Sequence, residues 1–204
     1  MSNGNCFIVT YIEVAPASAG AAAALVKQRV EGSRKDDGNV RAEVFQRSAP
    51  NNQFALVSVW RDLAAFEKSR DSAASKDLLG KLGPLLISGV DTRTHNALVG
   101  GPDAVRGQGG VFVVTHIDVP PSNKDACIAL VEAQVGASRK DAGCARYEVF
   151  QQDARPNHFS AVSVWSNRAA FDAHIVAGHT TDFRKKLTPL SGALYDERIY
   201  GAVM

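Results

Sequence analysis

The sequence predicts an α+β protein: two ferredoxin-like repeats that pair within one chain into a pseudo-dimeric α+β barrel. Three observations lead there. The chain repeats itself, each repeat carries the element order β-α-β-β-α-α-β, and the strand 158–165 has no face suited to water.

The repeat is the strongest of these. Sliding the 204-residue sequence against itself gives one dominant, gapless register in which Phe7 meets Phe112 (112 − 7 = 105). The run from Ser33 to Asp36 then meets Ser138 to Asp141, Glu43 to Gln46 meets Glu148 to Gln151, and Val57 to Trp60 meets Val162 to Trp165. Roughly 40% of aligned positions are identical, too many in a single register for anything but duplication. The boundaries that follow are 1–98 for the first repeat, 111–204 for the second, and a glycine-rich linker over 99–110. Fully extended, that linker reaches roughly 40 Å.

Periodicity supplies the elements. Val111 to Val119 alternates β-branched and polar residues as a strand does, and Pro120 and Pro121 end it. Ser122 or Asn123 is placed to cap a helix whose Cys127, Leu130, Val131, Val135 and Ser138 form one apolar stripe. Gly143 is expected to stop that helix, as Gly38 stops its twin. Strands follow over 145–151 and 158–165, joined by the turn-forming stretch from Asp153 to Asn157. A short helix over 168–174, a break near Gly178, a second helix to Leu187 and a strand over 193–200 complete the unit, a split βαβ with its helices on one face. In the strand 158–165, Phe159, Ala161 and Trp165 alternate with Val162 and Val164, so both faces are apolar. The face without helices is expected to pack on the sheet of the other repeat.

Composition narrows the function. Twenty-three Lys and Arg against 21 Asp and Glu give a net charge of +2, scattered along the chain, which argues against nucleic acid as a partner. Cys6, Cys127 and Cys144 form neither a C-x-x-C pair nor a zinc spacing and are expected to be reduced core thiols. With no basic leader and no stretch of ~20 apolar residues, a cytoplasmic protein without a membrane segment is expected.

In the second repeat, Gly143-Cys144-Ala145-Arg146-Tyr147-Glu148-Val149-Phe150, then Val164-Trp165, then His174 and His179 resemble the antibiotic biosynthesis monooxygenase family. The resemblance covers nearly all of each repeat. It implies dimeric α+β barrels and a range of activities: quinol and anthrone monooxygenases that use oxygen without metal or flavin, haem-degrading enzymes, a sugar-phosphate isomerase, and members without known activity. The first repeat departs from the motif, with Ser69, Ala74 and Ala42 where the second has His174, His179 and Tyr147. Catalysis is therefore expected in the second repeat.

On this reading His174 or His179 removes a proton, a task suited to imidazole near pH 7, while Tyr147 and Thr115 hold substrate oxygens and Trp165 lies along the ring. Each has a plainer alternative. Trp60 and Thr10 match Trp165 and Thr115 in the degenerate repeat, which favours packing roles, and the histidines could be helix-end groups. Two residues five apart stand about 140° from each other on an unbroken helix and could not share a ligand, unless the chain breaks at Gly178. Zinc is disfavoured because no further ligands suggest themselves. The favoured function is cofactor-independent oxidation of a small electron-rich aromatic, with oxygen as co-substrate. The rivals are a non-catalytic protein that binds a small hydrophobic molecule, and haem degradation, which Thr115 disfavours where some haem-degrading relatives carry Asn. An internal pseudo-dimer is expected, and further homodimerisation is left open.

Overall fold

In a computed structural model, which describes residues 4–101 and 110–203, the eight strands form one antiparallel sheet closed into a barrel with helices, the fold class that the sequence predicts. Residues 102–109, most of the expected linker, lie outside the described residues.

The first repeat runs β1 (Cys6–Glu13), α1 (Ala19–Ser33), β2 (Asn39–Arg47), β3 (Gln53–Trp60), α2 (Leu63–Arg70), α3 (Ala73–Leu82) and β4 (Asp91–Val99). Within it β1 pairs with both β3 and β4, and β3 with β2, giving the order β4-β1-β3-β2. The second repeat follows the same plan: β5 (Val111–Asp118), α4 (Lys124–Ser138), β6 (Cys144–Gln152), β7 (His158–Trp165), α5 (Arg168–Val176), α6 (Gly178–Leu187) and β8 (Asp196–Ala202), in the order β8-β5-β7-β6.

Hydrophobic periodicity decides these elements, and side-chain chemistry shifts their ends. The helix α4 stops at Ser138, before Gly143, so glycine is not its terminator. Gly143 serves a different need: its φ is +82°, and a Cβ there would meet Ser166 Oγ at 2.5 Å and Ala170 Cβ at 2.6 Å. A left-handed turn and the close approach of α5 both require glycine at that point, and Gly38 stands likewise, 2.6 Å from Ala65 Cβ. Asn123 occupies the N-cap position of α4 without capping it; its side-chain amide donates to the Leu190 carbonyl at 3.1 Å. Asn167, by contrast, caps α5 through Ala170 N, and Asp62 caps α2 through Ala65 N. The last strand begins at Asp196, three residues later than alternation suggests, because a single 3-10 turn over 188–190 and the loop after it precede it.

Strand β7 is buried from Phe159 to Trp165, on both faces as its sequence requires. Phe159, Ala161 and Trp165 join Cys127, Val131, Val135, Phe171, Phe183 and Leu187 in one core between sheet and helices. Among the described residues of the first repeat, one core gathers around Val26, Phe54 and Leu82 and another around Trp60 and Phe66. By contact density the chain divides into two units. One takes in residues up to Asn96 together with the C-terminal segment from Gly201, so that Val203 packs on its core. The other runs from Ala97 to Tyr200, so that Leu98 and Val99 pack on its core. Among the described residues no helix is long and apolar enough to cross a membrane.

Candidate active site

The second repeat gathers its unusual side chains around one carboxylate. Asp141 lies in the turn after α4, its backbone N–H held by the Ser138 carbonyl at 3.1 Å. His174, in the last turn of α5, places Nδ1 2.7 Å from Oδ2 of Asp141. His179, in the first turn of α6, places Nε2 3.2 Å from the same oxygen. Helical spacing alone would point the two rings apart. They meet because Ala177 is extended (φ −60°, ψ 146°) and ends one helix while starting the next. The break expected near Gly178 is thus present, and the ring centroids stand 5.6 Å apart.

Packing fixes the rest. The His174 ring lies 4.5 Å from the Trp165 ring, and the Tyr147 ring is 6.0 Å from it. Burial pushes the His174 pKa below the ordinary histidine value, with Asp141 opposing the shift, so the imidazole is neutral near pH 7. Burial drives the Tyr147 phenol well above its usual range, with Tyr195 and Glu197 adding to the shift, so it remains a protonated donor. Thr115 lies on β5, where its cross-strand partner is Glu197; that carboxylate accepts from Arg184 at 3.1 Å and from the Tyr195 hydroxyl at 3.2 Å. The Trp165 indole donates to Ser163 Oγ at 3.0 Å, and Trp60 donates to Ser58 Oγ at 2.9 Å in the same way. That shared bond gives Trp165 a packing duty whatever else it does.

The matching place in the first repeat shows what has changed. There Asp36 accepts from Ser69 Oγ at 2.5 Å, and Arg29 donates to the same hydroxyl at 2.8 Å while standing 3.8 Å from the carboxylate. The position of Arg29 is taken by Gln134 in the second repeat (29 + 105), where it donates to Thr180 Oγ1 at 3.1 Å. A permanently charged partner for the aspartate has been replaced by two imidazoles that can gain or lose a proton. Sequence reasoning did not single out Asp141, because both repeats carry it within the same Ser-Arg-Lys-Asp run. The signal lay seven residues earlier, in Arg29 against Gln134.

The first repeat, read from sequence as the degenerate one, contains an apolar cavity of about 320 Å³ lined by Val26, Val30, Ala42, Leu56, Trp60, Phe66 and Leu78 among others, with Arg29 at its wall. Small residues explain it. Ala42, Leu78 and Val90 line space where the second repeat has Tyr147, Phe183 and Tyr195.

Two domains of one known family account for this arrangement. The antibiotic biosynthesis monooxygenase family matches residues 6–80 and again 110–186. The chain belongs to that family. Among solved structures, a provisionally assigned monooxygenase from Fusobacterium nucleatum is similar over 100% of this chain and 94% of its own, with a TM-score of 0.85 at 14% identity. An anthrone oxidase-like protein is similar over 100% of this chain and 93% of its own, with a TM-score of 0.76 at 12% identity. At such identities the likeness shows the fold, and it extends over both antibiotic biosynthesis monooxygenase domains. An uncharacterised protein from Synechocystis sp. is 31% identical over 90 residues, 44% of this chain and 61% of that relative. The aligned segment thus spans less than two thirds of that relative's length.

Proposed function

We propose that the second repeat oxidises a small electron-rich aromatic, of the quinol or anthrone kind, with molecular oxygen. The observation that carries this reading is the Asp141–His174 contact. With Asp141 accepting the Nδ1–H, the lone pair of His174 is left on Nε2, and burial keeps that imidazole neutral and able to take a proton. Loss of a proton turns a phenol or anthrone into an electron-rich anion that reacts with oxygen directly. For an anthrone, the ring CH₂ becomes C=O, one oxygen atom enters the product and the other leaves as water, so no outside reductant is needed. Tyr147, as a neutral phenol, and Thr115 are suited to hold the substrate oxygens, and Trp165 to bound the ring. Family membership supports the class of reaction, and a cytoplasmic setting fits the free cysteines, of which burial raises the Cys127 and Cys144 thiols to about 11.

The test is oxygen uptake by chelator-treated protein given a panel of quinols and anthrones, with no flavin added. Consumption that depends on both substrate and protein is expected; none across the panel would sink the proposal.

The cavity of the first repeat favours a second role, retention of a small apolar molecule without chemistry. Its walls are mainly apolar, with Arg29, Glu43 and Arg70 among them, and no imidazole stands where the other repeat has His174 and His179. An apolar fluorescent probe should bind with one site, and Ala42→Tyr, which copies the residue at Tyr147, should weaken binding by about tenfold or more by filling the space. Binding unchanged by that substitution would place the probe elsewhere.

A further inference from the structure

We infer that Asp141, His174 and His179 form a binding site for a divalent transition-metal ion of the Zn²⁺ class. Their donor atoms all lie within 4.8 Å of one another. An ion bonded at about 2.1 Å to nitrogen and oxygen keeps neighbouring donors about 3.0 Å apart in octahedral and about 3.4 Å apart in tetrahedral geometry. His174 Nδ1 and His179 Nε2 already stand 2.7 and 3.2 Å from Oδ2 of Asp141, so an ion can enter with a small outward shift of the rings.

The donor set suits the ion. Two neutral imidazoles and one carboxylate are borderline ligands that favour Zn²⁺, Co²⁺ or Fe²⁺ over Mg²⁺ or Ca²⁺, and three protein ligands leave a position open to water or a bound molecule. His179 and Asp141 are 27% and 22% exposed at their side chains, which gives the ion a path in.

Charge makes the same point from the other repeat. There Arg29 lies beside Asp36, a fixed positive charge that would repel a cation, and no histidine stands at Ser69 or Ala74. In the second repeat the arginine has become Gln134 and both histidines are present. The two changes that a metal site requires, removal of the competing cation and gain of two ligands, occur in the same repeat.

Metal binding and proton removal exclude each other at His174. An ion on Nδ1 moves the ring proton to Nε2, the atom that the proposed oxidation needs as its base. The two readings therefore compete for the same ring and fail separately: a protein that binds one ion here and consumes no oxygen upholds the site and removes the oxidation.

The experiment strips the full-length protein with chelator and titrates it with Zn²⁺ by calorimetry and with Co²⁺ by visible absorption, which reports the ligand geometry. One ion per chain is expected. His179→Ala should weaken binding by about 100-fold or more. Gln134→Arg, which leaves all three ligands in place and restores only the first repeat's cation, should weaken it by about 10- to 100-fold. Cys144→Ser should leave it unchanged, and melting curves of each variant check the fold. No bound ion, or binding that survives His179→Ala and is lost in Cys144→Ser, would overturn the site.

Discussion

Changing His174 to Ser and His179 to Ala together is expected to lower turnover of any oxygenase substrate by about 10² or more, the scale for loss of a positioned general base. These are the residues that the first repeat carries as Ser69 and Ala74, so the helices tolerate them. One cost can be named: Asp141 loses both partners and has no arginine in reserve, because Gln134 replaces it. Its carboxylate is 22% exposed, so water can take over part of that role. Adding Gln134→Arg should restore whatever stability is lost, by rebuilding the Arg29–Ser69–Asp36 arrangement, without restoring the rate. An oxygen electrode and a thermal melt on the double and triple variants separate the two effects. A double variant with full turnover would mean that neither imidazole serves as the base.

The second large effect concerns the halves. Fragments 1–98 and 111–204, expressed separately, are expected to self-associate or precipitate. The helices of each repeat cover one face of its sheet, yet Val57, Val59, Val114, Val162 and Val164 are all fully buried in the intact chain. Burying one valine fully is worth about 1.5–3 kcal/mol, so exposing several would consume most of the 5–15 kcal/mol by which a domain is stable. The cut also takes Val203 from the core of the first unit, and Leu98 and Val99 from that of the second. Size-exclusion chromatography and melting of each fragment provide the check. Two monomers, each as stable as the parent, would refute pairing within the chain.

The fold was legible because duplication supplied two readings of every element. The strand 158–165 has the ends that its alternation implies, and the break between α5 and α6 falls at Ala177, beside the Gly178 that marked it in sequence. Helix ends were less legible: Gly143 is conspicuous in sequence, but its requirement comes from the nearness of Ser166 and Ala170, which no local pattern encodes. In the site, residues that differ between repeats drew notice and shared ones did not, so His174 and His179 stood out while Asp141 did not. The carboxylate's role depends on whether Arg29 or Gln134 stands seven residues earlier on the helix, and that dependence is spatial. The cavity was hidden for a similar reason. Volume is set jointly by Ala42, Leu78 and Val90, each unremarkable alone.

Duplication within one polypeptide also changes which mutations are available to this protein. In an assembly of two identical chains, every substitution is made twice, so a change that suits one pocket is imposed on the other. Here Ala42 and Tyr147 are encoded separately, as are Arg29 and Gln134. One lineage of substitutions could enlarge an apolar chamber while another assembled ionisable groups, with neither compromised by the other. Fusion thus released two copies of one ancestral pocket from the obligation to remain the same.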